Sequence, residues 1–201
     1  IGRSPGLHIY IIDIAEGLIY HISSQMPPES SVVELTLACH GANRLGECIK
    51  WSVRDQTLYW TDINAFQLHY IQDIANPLET HQCVTFTDNK ALCCFAERAN
   101  QAGFVCAFAD GFAYLSFDEI DNSASPVYIA DPESDKKSNR FNDGRCDRQG
   151  RFFAGCFNWK GDTSNAGVYR LEKGTVTQIE VVGEVMCSNG IAFSPDYTIV
   201  Y

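Results

Sequence analysis

Three polar residues recur at a spacing that could assemble a site. Glu47 opens Glu47-Cys48-Ile49-Lys50-Trp51, Asn142 opens Asn142-Asp143-Gly144-Arg145-Cys146, and Asn189 opens Asn189-Gly190-Ile191-Ala192-Phe193. Asn142 and Asn189 lie 47 residues apart, and Glu47 lies 95 before Asn142, about twice that interval. One carboxylate and two carboxamides brought together make an oxygen-rich cluster. Such a cluster suits a hard divalent cation such as Ca²⁺, Mg²⁺ or Mn²⁺ and, less typically, Zn²⁺. Arg140 precedes Asn142 by two residues, so on an extended segment both side chains leave the same face. A guanidinium fixed there could hold a carboxylate, a phosphate or a polyhydroxylated molecule. The plainer alternative is that Asn-Gly and Asn-Asp only make turns between strands.

The elements that must position these residues are short strands. Apolar and aromatic runs of four to seven residues recur, as in Thr57–Thr61, Phe104–Phe108 and Phe112–Leu115, with turn residues between them. No long stretch has helical apolar periodicity. Each of the three openings leads through a turn (Asp55-Gln56, Gln149-Gly150 or Pro195-Asp196) to an apolar return strand. The interval near residue 94 is filled by Phe86–Asn89, Leu92–Phe95 and a hairpin through Asp110-Gly111. A period in the forties with several strands per repeat is that of a propeller blade, and equivalent positions on successive innermost strands converge on the central channel. A sandwich needs no fixed period, and solenoid repeats are shorter. The expected fold is all-β, a propeller. Two stretches read as connectors, Asp118–Pro126 and the charged Asp131–Ser138. His8–Ile22 reads as two further strands around Asp13–Gly17. Residues 1–34 are thus N-terminal strands without a definite place, and 35–201 the propeller domain.

Composition removes several classes of function. The 201 residues are 45% hydrophobic, enough for a sizeable core, and carry 15 basic against 25 acidic side chains, a net charge of −10. Nucleic acid and anionic membrane surfaces are disfavoured partners, since both need clustered Lys and Arg. No apolar run reaches the 18 residues of a spanning helix. Nine cysteines cannot all pair within a monomer, no C-x-x-C occurs, and no Asn has the glycosylation spacing, so buried reduced thiols in a cytoplasmic protein are expected. The five histidines, at 8, 21, 40, 69 and 81, lack H-x-x-x-H spacing and lend no local support to a His-based metal site. The chain starts without Met and stops within an apolar run, which suggests part of something longer.

The motifs also carry a resemblance. Leu45-Gly46-Glu47-Cys48-Ile49-Lys50-Trp51 with Leu58–Ile63 resembles the first motif of the regucalcin (senescence marker protein), gluconolactonase and luciferin-regenerating enzyme family. Asn139-Arg140-Phe141-Asn142-Asp143-Gly144, with Asp147 and Gly150–Gly155, resembles its second, and Ser188–Ser194 its third. The resemblance implies a six-bladed β-propeller, present here as an incomplete fragment of about four blades, with one divalent metal ion (Ca, Zn, Mg or Mn) on the axis. It implies hydrolysis of a small-molecule sugar lactone, a monomer when full length, metal ligation by Glu47 and Asn189, and substrate contact by Arg140 and Asn142, with Asn142 close to the metal. The family's third ligand, an Asp that is also the general acid/base, is expected beyond residue 201. An acidic substrate-contacting position of the family falls near Lys160. The alternatives are a non-catalytic calcium-binding regulatory propeller and a plain interaction scaffold. By itself the chain is expected to be inactive and, with unpaired strand edges, aggregation-prone.

Overall fold

The apolar runs form strands joined by tight turns, and the strands pair in chain order. A computed structural model describes residues 7–13, 18–24, 34–118 and 123–201, with side chains from Cys39 onward, Asp88 aside. The first sheet contains β1 (Leu7–Asp13), β2 (Leu18–Ser24) and β3 (Glu34–His40). The second contains β4 (Gly46–Ser52), β5 (Thr57–Asp62), β6 (Gln67–Ile71) and β7 (His81–Thr85). The third contains β8 (Leu92–Glu97), β9 (Phe104–Phe108), β10 (Gly111–Asp118) and β11 (Ser123–Ala130). The fourth contains β12 (Asn139–Cys146), β13 (Phe152–Asn158), β14 (Val168–Glu172) and β15 (Thr175–Gln178). Every pair within a sheet is antiparallel and sequential. Among the described residues helix is confined to single turns at Pro77–Thr80, Thr87–Asn89 and Glu180–Val182.

The core lies between sheets, which explains why the strands read as unbroken apolar runs instead of alternating. All six residues of β5 are buried, because a strand covered on both faces has no solvent side. One layer joins Tyr59, Leu68 and Tyr70 of the second sheet to Phe95, Phe104 and Phe108 of the third. Another joins Phe112 of the third to Phe141, Phe152 and Tyr169 of the fourth. Phe112 and Phe141 pack with ring centroids 4.6 Å apart. Burying each such ring contributes about 1.5–3 kcal/mol. The first strands of successive sheets are neighbours: β1 touches β4, β4 touches β8, and β8 touches β12. Four sheets stacked face to face with their first strands side by side are propeller blades around an axis.

The fold departs from the sequence reading in one connector. Asp118–Pro126 was expected as a loop, yet its second part belongs to β11, where Pro126 pairs with Leu115. β11 is an outer edge strand, where a residue without an N–H is tolerated and one side stays polar. The middle of that connector, 119–122, lies outside the described residues, as does the turn expected between Asp13 and Gly17 (residues 14–17). The Asp131–Ser138 segment is a loop, as expected.

Candidate functional site

Each of the three inner strands with described side chains carries a bulge. Pairing jumps between Glu47 and Lys50 in β4, between Leu92 and Cys94 in β8, and between Phe141 and Gly144 in β12. The residues left out of the ladder are Cys48 and Ile49, then Cys93, then Asn142 and Asp143. A bulge bends its strand and re-aims the side chains beside it. The register also refines the periodic alignment. Asn142 sits within its bulge, whereas Glu47 sits one residue ahead of one and still pairs with Thr61. Cys48 takes the left-handed turn there, at φ 52°.

Glu47 is held by an anchored approach to β4. The buried Asp62 carboxylate accepts the N–H groups of Arg44 (2.6 Å), Leu45 (3.0 Å) and Ala65 (3.1 Å), and the Ile63 N–H donates to Leu45 O at 3.0 Å. Half-burial raises the Glu47 carboxyl above the usual carboxylate range. The Asp143 carboxylate adds to the rise, and the Arg140 guanidinium offsets part of it. β4 and β12 both lie against β8, and the influence of Asp143 and Arg140 on Glu47 puts the three in one neighbourhood.

On β12, Arg140 and Asn142 meet as their spacing predicts. Arg140 Nη1 donates to Asn142 Oδ1 at 3.1 Å and to Phe141 O at 2.7 Å, and its guanidinium lies 5.1 Å from the centroid of Phe157. Asn142 Nδ2 donates to Ser188 O at 3.0 Å. Asp143 Oδ2 accepts the N–H groups of Gly190 (2.8 Å) and Ile191 (3.3 Å), while its Oδ1 accepts that of Gly144 (2.8 Å). The two bulge side chains thus clamp the Ser188–Ile191 loop that carries Asn189. Gly155 lets this loop approach, since a Cβ there would collide with the Ser188 side chain. Asn189 is exposed, and its Oδ1 accepts the Gly190 N–H at 3.1 Å. Lys160, by contrast, stands on the surface beside Trp159.

Three residues absent from the sequence-derived set now join it. Asp143 was visible only as part of an Asn-Asp turn, yet it is the second carboxylate of the centre. Asp62 positions the Glu47 strand. Cys93 is the third sheet's bulge residue, and its Sγ lies 3.9 Å from Arg140 Nη1. Burial pushes this thiol up to about 12, so it stands there neutral. Arg140 also borders a cleft of about 670 Å³.

The donor set fits a divalent cation. Glu47 and Asp143 are like charges close enough to disfavour ionisation of Glu47, and a cation would relieve that. The neighbouring oxygens are carboxamides, which are hard-cation donors. Among the described residues no group of three or more His, Cys, Asp and Glu could hold a metal, so carboxamides must complete any such set.

A partial β-propeller with a carboxylate–carboxamide centre on its inner strands is the class that fold and site define. The family model described as SMP-30/Gluconolactonase/LRE-like region matches residues 45–201, and the chain belongs to that family. It is 37% identical over 158 residues to a 6-deoxy-6-sulfogluconolactonase of Pseudomonas putida, covering 78% of this chain and 50% of the relative. It is similar to a solved luciferin-regenerating enzyme (TM-score 0.66, 24% identity, 78% of this chain and 51% of that one). It is also similar to a calcium-binding protein, regucalcin, of Agrobacterium tumefaciens (TM-score 0.62, 26% identity, 77% and 48%). The chain spans about half the length of the curated relatives it matches.

Proposed function

We propose that this protein hydrolyses a sugar lactone with the help of one divalent metal ion, held by Glu47 and Asn189 with Asn142 beside it. The observation that carries the reading is the convergence of Glu47, Arg140, Asn142, Asp143 and the Asn189 loop on one centre. Relatives named as lactonases support it. When bound, such an ion polarises an ester carbonyl and acidifies water. The chain's own residues do the rest. Glu47 supplies the negative charge that holds the ion. Asn142 fixes Arg140 through Oδ1, which leaves the guanidinium's remaining N–H groups for the hydroxyls and ring oxygen of the sugar. Asp143 carries three N–H bonds and acts as the strut of the loop. Neither catalysis nor binding here needs nucleic acid or membrane; the partner is a small molecule.

The test is hydrolysis of a panel of aldonolactones by the full-length protein that contains this chain, with Ca²⁺, Zn²⁺, Mg²⁺ or Mn²⁺ supplied, against a chelated control. Metal-stimulated turnover of at least one lactone is expected; none across the panel rejects the reading. The relative named as a calcium-binding protein favours a second reading, a propeller that binds calcium without catalysis. Calcium binding lost in Glu47→Gln, with every lactone left intact, would decide for it.

A further inference from the structure

In each of the three sheets with described side chains, the turn after the first strand carries an arginine. Arg54 follows β4, Arg98 follows β8 and Arg148 follows β12. These turns lie at the end of the sheets away from the axial centre. β12 enters at Asn139, beside Arg140, and leaves at Cys146 toward Arg148, so roughly 20 Å of strand separates the two arginines. At that far end, between the third and fourth sheets, is a cleft of about 320 Å³. Arg98 and Tyr114 line it from the third sheet, Arg148 and Lys173 from the fourth, and the buried Phe152 and Leu171 give it an apolar side.

The two carboxylates of this cleft already have partners. Glu97 Oε1 accepts from the Ser52 hydroxyl at 2.7 Å and pairs with Arg54 Nη2 at 3.2 Å. Asp147 is buried, pairs with Arg151, and accepts the N–H groups of Gln149 and Arg151 at 2.9 Å each. Both pairs are closed by arginines that lie outside the lining. The three cations of the lining have no such partner. Among the described residues Arg98, Arg148 and Lys173 are in no ion pair. Two of them are held over rings instead: the guanidinium carbon of Arg98 lies 4.4 Å from the centroid of Tyr114, and that of Arg148 lies 5.1 Å from the centroid of Tyr197. An aromatic face orients a guanidinium without neutralising it. In a chain of net charge −10, this concavity therefore presents the opposite sign, and a concave wall of one sign concentrates counter-ions.

We infer that this cleft binds a small phosphate monoester, at the other end of the sheets from the axial centre. Three cations without counter-charges suit a group carrying close to two negative charges, as a phosphate monoester does at neutral pH. The planar forks of Arg98 and Arg148 match phosphate oxygens, Lys173 adds a point charge, and the organic part lies against Phe152 and Leu171. Because Arg98 belongs to the third sheet and Arg148 and Lys173 to the fourth, the ligand ties two blades together and stabilises the folded protein. Occupancy of this cleft does not depend on lactone hydrolysis.

The experiment uses the full-length protein that contains this chain, freed of metal by a chelator. Phenyl phosphate and phenol are titrated into it by calorimetry at constant ionic strength. Phenyl phosphate is expected to bind saturably, about tenfold or more tightly than phenol, since its contacts are charge-assisted. It should also raise the melting temperature. Arg98→Gln/Arg148→Gln should weaken binding about tenfold or more and abolish the thermal shift. Lys173→Gln should weaken it about threefold, and Arg140→Gln, at the axial centre, should leave it unchanged. If the double variant does not fold, Arg148→Gln and Lys173→Gln, both at exposed turns, decide the matter singly, each expected to weaken binding about threefold. Absence of saturable binding, equal binding of phenol, or binding that survives these changes overturns the inference. So does binding that is lost in Arg140→Gln, which would place the anion at the axial centre.

Discussion

Glu47 is a carboxylate kept ionisable under protest: it is half-buried and faces Asp143, and Arg140 offsets part of that cost. Glu47→Gln keeps the shape and removes the charge. On the proposed reading, its affinity for a divalent ion, measured by calorimetry, should drop by more than the 10–100-fold typical of losing an outer partner of a metal site. Because a ligand carboxylate must be deprotonated, affinity in the unmutated protein should weaken as pH falls through the raised Glu47 value, and hence at a higher pH than for an ordinary glutamate. An affinity flat through the carboxylate range would contradict both statements. Much of this centre was legible beforehand, since Glu47, Arg140, Asn142 and Asn189 are set apart by type and interval. Asp143 was not, because Asn-Asp also spells a turn, and only the distance to Gly190 separates a turn residue from a strut.

At the scale of the element, strands and hairpins followed from apolar runs and Asp or Gly turns, while the bulges did not. A bulge is a mismatch between two strands and is invisible in either alone. Gly144 shows what the β12 bulge demands: a Cβ there would lie 2.7 Å from Cys94 Sγ and from Phe153 O. Gly144→Ala should therefore cost about 1–3 kcal/mol, as overpacking does, and chemical denaturation would measure it. The β6–β7 hairpin likewise unites two histidines that looked scattered. His69 Nδ1 lies 2.9 Å from His81 Nε2, and Trp60 stacks on both rings, at 5.0 and 5.1 Å between centroids. One nitrogen must donate and the other accept, so the pair needs a neutral ring. Burial, with His81 adding to it, lowers His69 to about 4, and His81 is lowered by burial too. Between about 6.5 and 4 the unfolded chain binds more protons than the folded one, so stability is full above that window and lost as pH falls through it. Thermal melts of the wild type should show this loss, and His69→Gln should flatten it.

For the whole molecule, the feature that matters is the far face of the fourth sheet. Val181, Val182, Ile199, Val200 and Tyr201 are exposed there, and several line an apolar cleft of about 530 Å³. A surface of that kind associates. The 201-residue chain should sediment as concentration-dependent oligomers, and detergent or a Val182→Glu/Val200→Glu pair should shift it toward monomer. A single monomeric species at all concentrations would contradict this. The −10 charge does not prevent such contact, because these residues are uncharged.

The bulged inner strands separate two kinds of inheritance. Ladder residues such as Phe141 and Phe152 answer to their neighbours on both sides, and changing one disturbs a packed layer. The residues outside the ladder answer to the centre and to what they hold beside it, as Asn142 and Asp143 hold the Ser188–Ile191 loop. One sheet places Asn142 and Asp143 there, and another places the uncharged Cys93. Each blade can thus revise its own corner of the centre without breaking the pairing of its strands, so the chemistry of such a molecule can drift faster than its shape.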